Sequence, residues 1–294
     1  MVEQLQRLVW PGSELDVVPL HMLMAAVHGG GLLIGAFETA PAGFQQAEPG
    51  ASTLAGFVFG FPGIYHTPDG PRLKHYSHML GIHPAYRNQG IGFRLKRAQW
   101  QMVRRQGMDR ITWTYDPLLS PNAWLNITRL GAVCNTYLAN YYGRMRDALN
   151  QGLDSDRFEV DWWVNTRRVY HRLSHEARPA LTYQHYLAAE TPLVNPAHWG
   201  ADQHPQPGET SFPDQDSTPP LLLVEIPANF LALRQADLQL AQAWRLHTRQ
   251  LFQSAFELGY LVTDFVTTDE APRQAFYVLS HGEAQIGGVT HDPF

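Results

Sequence analysis

Cysteine, charge and long apolar runs are all scarce in this sequence of 294 residues. The one cysteine, Cys134, cannot form an intrachain disulfide, which suits a reducing compartment. Charged residues make up 17% of the chain, too few for a disordered polymer, and 44% hydrophobic residues supply a sizeable core. We therefore expect a soluble globular protein of one large or two modest domains.

Signals for membranes and export are also missing. The longest apolar runs, 31–37 and 54–61, are far shorter than the ~20 residues of a membrane helix. The N-terminus lacks a basic segment followed by an apolar one. Because the formal net charge is -5, no overall field attracts polyanions. The sequence predicts a cytoplasmic protein with neither a membrane nor a nucleic acid as partner.

Proline and glycine divide the chain. Seven prolines within residues 190–220, with little apolar periodicity around them, predict a linker or long surface loop between segments 1–180 and 221–294. In the first segment we expect, in order, a hairpin, a strand, a helix, a strand, a helix and two strands. This order predicts an α/β fold of the α+β type, with a mixed, mainly antiparallel sheet flanked by helices. The last segment reads as β-α-β-β, with one long helix from about Asn229 to Leu258.

The most informative stretch is HMLGIHPAYRNQGIGFRLKRAQ, residues 78–99. A strand ends at His83-Pro84, and a helix begins after a glycine-rich loop. Gly90 and Gly92 have no side chains to block a ligand, so consecutive backbone N–H groups at the helix N-terminus can converge on an anion such as a pyrophosphate. Further positive charge nearby would come from Arg87, Arg94, Lys96 and Arg97.

The helix after this loop has an amphipathic pattern. Its expected apolar face consists of Ile91, Leu95, Ala98 and Met102. Lys96 and the neighbouring arginines lie largely off that face, where they could add positive charge beside the loop.

The pattern Arg87-x-x-Gly90-x-Gly92, between a strand ending in His83-Pro84 and a helix, resembles motif A of the GNAT superfamily of acyl-CoA-dependent N-acyltransferases. The resemblance covers about residues 20–165, and HMLGIHPAYRNQGIG with TYDPLLSPNAWLN is similar to a little-studied bacterial GNAT subgroup. It implies a GNAT-like sheet and acetyl-CoA or another short acyl-CoA as co-substrate, with no metal.

The resemblance also implies where the coenzyme lies. Loop amides would hold its pyrophosphate, and strands 75–83 and 110–116 would splay so that the pantetheine pairs with the first of them. The implied coenzyme-binding residues are those of the strand end and loop, with one polar residue of the next helix: Leu80, Gly81, Ile82, Arg87, Asn88, Gln89, Gly90, Ile91, Gly92 and Asn122.

The helix after the second splayed strand departs from the family pattern N-x-x-A-x-x-x-Y-x-x-x-G-F. Aligned on Gly131, the chain matches the alanine at Ala123 but carries Ile127 where the family's tyrosine would protonate the departing thiolate. Four residues are candidates to replace that acid: Asn122, Asn126, Tyr115 and Tyr137.

A base is the second chemical requirement. An amine with a pKa of about 10 costs ~4 kcal/mol to present unprotonated at neutral pH unless a group accepts its proton. Tyr76 aligns with a glutamate that some family members use, and His78 is the better candidate because its ordinary pKa lies near neutrality. We predict Tyr76 and His78 as catalytic residues. The alternative is that His78 is a packing histidine.

Strand alternation predicts two faces for this segment. One face would carry Tyr76, His78, Leu80 and Ile82, and the other His75, Ser77 and Met79. Because His75 and His78 then lie on opposite faces, the histidines of this region do not predict a metal site.

The sequence thus predicts an enzyme that moves an acyl group, most simply acetyl, from acyl-CoA to an amine of a small molecule by direct attack in a ternary complex. The alternative is a non-catalytic acyl-CoA sensor or interaction module, favoured by Ile127 and by the unassigned segment 221–294. A protein or peptide acceptor is favoured less, because no acidic run for docking basic tails is evident. The sequence determines neither the identity of the acceptor nor whether the chain forms a homodimer.

Overall fold

The computed structural model describes the chain over seven ranges: 1–12, 14–38, 53–143, 152–174, 180–200, 204–212 and 218–281. Within them the chain forms two compact units, one of Met1–Trp113 and one that begins at Thr114. Each unit has its own helices and strands. The predicted division into segments 1–180 and 221–294, with a linker at 190–220, remains a prediction. Parts of these segments, such as 175–179, 213–217 and 282–294, lie outside the described residues.

The first unit carries a mixed sheet. Its elements follow in the order α1 (Val2–Val9), α2 (Leu20–His28), β1 (Leu32–Phe37), β2 (Leu54–Thr67), β3 (Gly70–Ile82), α3 (Ile91–Arg105) and β4 (Arg110–Tyr115), the last of which runs on into the second unit. Strands β1, β2 and β3 are antiparallel neighbours, and β4 is parallel to β3. The β1–β2 hairpin confirms the prediction. Helices α1 and α2 were not predicted, although Leu5 and Val9 recur at helical spacing.

Helices cover both faces of β2. On one face, Leu5 of α1 and Leu23 of α2 pack with Phe57 and Phe59 in one buried cluster. On the other face, α3 packs Ile91 and Leu95 against Ala55 and Val58. Each large side chain buried in this way stabilises the fold by about 1.5–3 kcal/mol. The alternation of β2 therefore places a helical layer on each side of the sheet.

The buried face of α3 differs from the expected one. Met102 is 41% exposed, whereas Lys96 and Gln99 are buried together with Ile91 and Leu95. Lys96 therefore does not lie at the loop surface, where we predicted that it would add positive charge. Periodicity alone placed it off the apolar stripe, and polar partners on β3 compensate for its burial.

The second unit is built on antiparallel strands. Its helices and strands are α4 (Ser120–Ala123), which continues as a π-helical turn (Trp124–Arg129), β5 (Val133–Leu138), β6 (Arg157–Trp163), α5 (Arg167–Leu173), α6 (Tyr183–Ala188), β7 (His198–Trp199), β8 (Pro205–Gln206), β9 (Leu221–Ile226), α7 (Phe230–Ala236), α8 (Leu238–Glu257), β10 (Leu261–Thr267) and β11 (Ala275–Ser280). The main strands are ordered β6-β5-β10-β11-β9, each antiparallel to its neighbour. The predicted fold class, mixed and mainly antiparallel, is confirmed.

The predicted β-α-β-β segment is also present, with one correction. The long helix is interrupted at Asp237, whose backbone is extended and whose carboxylate accepts the N–H of Leu240 at 2.9 Å as the cap of α8. Part of the predicted linker packs as well, since Val194 and Asn195 are fully buried. The Asn195 amide exchanges hydrogen bonds of 2.8 and 2.9 Å with the backbone of Glu225 in β9.

Candidate functional site

Strands β3 and β4 part soon after they meet. Among the described residues their register consists of two pairs, His75 with Ile111 and Tyr76 with Thr112. Strand β3 continues for six residues beyond these pairs, from Ser77 to Ile82. We call the separation beyond the pairs the β3–β4 fork. An edge that leaves a ladder in this way can offer backbone N–H and C=O groups to an extended ligand.

A β-bulge lies at the base of the fork. Ser77 and His78 together oppose Gly60 of β2, so the ladder gains one residue on the β3 side. A Cβ at Gly60 would collide with the Nε2 atom of His75 and lie 2.5 Å from the carbonyl oxygen of Tyr76. Glycine is therefore required there, because the two strands approach too closely for any side chain.

The bulge overturns the predicted faces of β3. Tyr76 and His78 remain together, but Leu80 and Ile82 pack into the α3 cluster on the opposite side of the sheet. His75 and Ser77 also face α3. Simple alternation failed because the extra residue shifts the phase of every side chain that follows.

The two predicted catalytic residues share an aromatic surface. The His78 ring centroid lies 5.9 Å from that of Phe61, 6.1 Å from Phe59 and 6.3 Å from Tyr76. Removal of water by these neighbours lowers the pKa of His78, so its imidazole is neutral at pH 7. The side chain remains exposed at its edge and is able to accept a proton from a molecule on this face.

A left-handed loop connects the fork to helix α3. His83 begins it by accepting the N–H of Ala85 at its Nδ1 atom, 3.2 Å away. Asn88 (φ 61°) and Gly90 (φ 72°) then both adopt the left-handed conformation, and a Cβ at Gly90 would meet no heavy atom within 4 Å. The N–H groups of such a loop and of the first turn of α3 form a concave donor surface suited to an anion.

The predicted coenzyme-binding residues of the first unit lie along this path. Leu80, Gly81 and Ile82 form the end of β3, and Arg87, Asn88, Gln89 and Gly90 are exposed in the loop. Ile91 is buried and anchors the helix, and Gly92 is half-buried.

Two of the four predicted basic residues are exposed next to the loop. Arg94 is exposed and donates to the carbonyl oxygen of Gln89 at 3.2 Å, and Arg87 is exposed in the loop itself. Arg97 is half-buried. Lys96 is turned into the protein and adds no charge to the loop surface.

A buried polar cluster lies between α3 and the base of the fork, and sequence reasoning missed it. Lys96 Nζ donates to Ser77 Oγ at 2.8 Å and to Gln99 Oε1 at 3.3 Å, and Gln99 Nε2 lies 3.1 Å from His75 Nε2. Burial and the nearby Lys96 charge lower the pKa of His75 to about 4, and burial lowers that of Lys96. The sequence contained a signal for this cluster. His75 and Ser77 are two residues apart on a strand, and Lys96 and Gln99 are three apart on a helix, and each spacing places both side chains on one face.

A cavity of about 470 Å³ adjoins the loop between Tyr86 and Ile91. Its wall is formed by the edge strand β1 and by α3, and both Gln89 of the loop and Arg94 of α3 line it. At its rim the Tyr86 hydroxyl donates to Glu38 at 2.6 Å, which raises the pKa of Tyr86.

The remaining predicted residues lie in the second unit. Asn122 is exposed on α4, whereas Ile127 and Asn126 are buried in the turn that follows. The Tyr115 hydroxyl lies 3.1 Å from that of Tyr277, and the Tyr137 hydroxyl donates to Asp156 at 2.6 Å. Burial raises the pKa of both predicted tyrosines, which weakens them as acids.

Two negative findings concern the described ranges only. They contain no group of three or more histidine, cysteine, aspartate or glutamate side chains placed to hold a metal ion. In the same ranges, no helix combines the length and apolar character needed to cross a bilayer.

No protein-family model matches the chain. No curated protein matches it either.

Solved acetyltransferase structures are similar to part of the chain. An aminoglycoside 6'-acetyltransferase type Ii is 19% identical, with a TM-score of 0.40 over 56% of this chain and 89% of that chain. A GNAT family acetyltransferase from Elizabethkingia anophelis with acetyl-CoA bound is 11% identical, with a TM-score of 0.36 over 49% and 83%. The NatC complex bound to Gag peptide and CoA is 19% identical, with a TM-score of 0.31 over 40% and 64%. The chain is thus similar, over 40–56% of its length, to solved acetyltransferases.

Proposed function

We propose that this chain is a GNAT-type acyltransferase that moves an acetyl group from acetyl-CoA to an amine of a small molecule. The observation that carries the proposal is the continuity of the β3–β4 fork with the left-handed loop and the N-terminus of α3. A free strand edge followed directly by an anion-binding helix start matches the two parts of coenzyme A, an amide-bearing arm and a pyrophosphate. The sequence resemblance around Arg87, Gly90 and Gly92 supports the same assignment.

Residues of the loop and of the strand edge would divide the binding between them. The amides of residues 87–92 would hold the pyrophosphate, with Arg87 and Arg94 adding charge at the surface. The backbone of Leu80, Gly81 and Ile82 would pair with the amides of the pantetheine arm, as one strand pairs with another. Asn122 in the second unit remains a predicted contact.

The proposed reaction depends on positioning the two substrates more than on covalent catalysis. Holding an amine against a thioester carbonyl in the correct orientation can contribute ~7 to 11 kcal/mol to lowering the barrier. His78 would accept the proton that the attacking amine loses, because its imidazole is neutral at pH 7 and its edge is exposed. Tyr76 would line the acceptor side beside it.

A small acceptor is favoured by the surface around His78. Phe61, Tyr76 and His78 form an aromatic face on β2 and β3, which suits a compact molecule with an apolar body and one amine. The sequence has no acidic run that would dock a basic peptide.

Calorimetry with acetyl-CoA tests the coenzyme site directly. We expect saturable binding that competes with free coenzyme A. A thiol-release assay over a panel of primary amines then tests transfer. Absence of acetyl-CoA binding by the folded full chain would contradict the proposal.

A second candidate is a non-catalytic module that binds acyl-CoA. The observation in its favour is that Ile127 is fully buried and that the hydroxyls of Tyr115 and Tyr137 are engaged within the second unit. Binding of acetyl-CoA without thiol release, over the whole amine panel and over pH 6 to 9, would favour this module over the enzyme.

A further inference from the structure

The chain uses lysine very sparingly and yet buries one. Of its 22 lysine and arginine residues, Lys74 and Lys96 are the two lysines. Lys96 is 2% exposed and is one of the largest fully buried side chains among the described residues. Arginine is effectively always protonated in proteins, whereas a lysine can give up its proton when it is buried. A lysine at a buried position is therefore able to exchange a proton.

The surroundings of Lys96 stabilise a proton on its amine. Two oxygens accept from Nζ, the Ser77 hydroxyl at 2.8 Å and the Gln99 amide oxygen at 3.3 Å. The face of the Trp113 ring, 3.6 Å from Nζ at its centroid, attracts the positive charge. The two oxygens take two of the three N–H donors of an ammonium. Burial acts in the opposite direction and lowers the pKa of Lys96. Lys96 therefore gives up a proton more readily than an ordinary lysine does.

The position of Lys96 relates it to the β3–β4 fork. Ser77 is the first β3 residue beyond the two pairs that join the strands, and Trp113 is the first β4 residue beyond them. Lys96 contacts both side chains. Its amine therefore lies at the point where the strands begin to separate.

We propose that Lys96 donates the proton to the coenzyme A thiolate as it leaves, the step for which this sequence carries Ile127 in place of the family's tyrosine. The inference rests on the proposed function, since it needs an acyl-CoA in the fork. An ordinary thiol has a pKa of about 8.5, so an acid below the usual lysine range is well matched to protonate its thiolate.

The step balances. The amine nitrogen bonds to the acyl carbon, and the carbon–sulfur bond breaks with its electron pair on sulfur. The Lys96 ammonium passes one proton to that sulfur, while His78 takes the proton lost by the amine. His78 then releases its proton to solvent and Lys96 regains one, which leaves an amide and a free thiol. His75, the other titratable side chain of this cluster, is neutral at pH 7 because its pKa is about 4.

Two substitutions separate proton donation from charge and packing. Lys96→Arg keeps a cation that cannot give up its proton, and Lys96→Met keeps the length without charge. With acetyl-CoA, we expect either change to lower kcat about 10²-fold or more while KM for acetyl-CoA changes less than about threefold. Lys74→Met, at the other lysine of the chain, is the matched control and should leave both constants unchanged.

A donor that needs no acid completes the test. S-phenyl thioacetate releases an aromatic thiolate that leaves without protonation, so its rate should be nearly equal in the wild type and in Lys96→Arg. Equal loss with both donors would show a structural role and overturn the proposal. Wild-type kcat in Lys96→Arg with acetyl-CoA would also overturn it.

A titration of the unmodified protein keeps the proposal testable if the variants fail to fold. Labelling with lysine carrying ¹³C at Cε gives two signals, one from each lysine. We expect the Lys96 signal to titrate below the ordinary lysine range, and a pKa within or above that range would overturn the proposal. Failure of acetyl-CoA to bind wild-type protein would instead contradict the proposed function.

Discussion

Gly90 and Gly107 flank helix α3 with nearly the same left-handed backbone, φ 72° and 76°, and at both a Cβ would meet no heavy atom within 4 Å. The two positions therefore carry the same conformational cost but differ in what surrounds them. Gly90 begins the helix beside the loop amides, whereas Gly107 follows its last turn. They form a matched pair for testing the anion site.

Gly90→Glu should weaken acetyl-CoA binding more than tenfold, because its carboxylate competes with the pyrophosphate for the same amides. Gly107→Glu should change binding less than about twofold. Both variants should lose about 1 kcal/mol of stability from the left-handed backbone. Calorimetric titration together with urea unfolding checks this, and equal weakening of binding in the two variants would contradict the site.

His78→Gln should lower kcat/KM at pH 7 by 10²-fold or more if His78 is the base. The wild-type rate should fall as the pH drops through the lowered pKa of His78, because the protonated ring cannot accept a proton. That acid limb should be lost in the variant. His66→Gln, at an exposed histidine of β2, serves as the control. An unchanged pH profile in His78→Gln would identify His78 as a packing residue.

His75 should make the protein less stable in acid. Its pKa is about 4 in the folded state and 6.5 when unperturbed, so the unfolded chain binds the extra proton between these values. Stability is therefore complete above pH 6.5 and is lost as the pH falls toward 4, by up to about 3 kcal/mol. Urea unfolding at pH 7 and pH 4.5 measures the loss. We expect a smaller pH dependence in His75→Gln, and an equal one would contradict this origin.

Gly60→Ala should be strongly destabilising. The added methyl group would collide with His75 and the Tyr76 backbone at the bulge, with an expected loss of about 2–4 kcal/mol. Gly63→Ala, three residues along β2, is the control, because the nearest atom there is 3.8 Å away in the flexible Lys74 side chain. Thermal unfolding of the two variants should differ clearly. Similar melting temperatures would show that the bulge adapts.

Two ion pairs should differ in strength. The buried pair of Asp116 and Arg245 has nitrogen–oxygen distances of 2.8 and 2.6 Å. Asp116→Asn would leave the guanidinium buried without its carboxylate, so we expect a loss of about 3–5 kcal/mol. Glu14→Gln breaks the exposed pair with Arg7 and should cost much less, because water screens both charges. Equal effects in urea unfolding would contradict the role of burial.

Local sequence signals predicted much of the architecture. Helix α3 and the loop before it were predictable, because glycine spacing and helical periodicity are encoded within about 20 residues. The break at Asp237 was missed because the aspartate sits within an otherwise continuous helical pattern, and its side chain caps α8 instead of extending α7. The helices α1 and α2 were overlooked despite an apolar stripe.

The sequence by itself determined the loop around Gly90, the start of α3 and the order of the main strands, since each depends on neighbouring residues. Only the tertiary structure decided the phase of β3 and the fate of Lys96. The bulge arises because Gly60 on another strand lets two β3 residues oppose one. Lys96 is buried because Ser77, on β3, and Gln99, one turn further along α3, accept hydrogen bonds from its amine. Neither arrangement is visible in the residues adjacent to it in the chain.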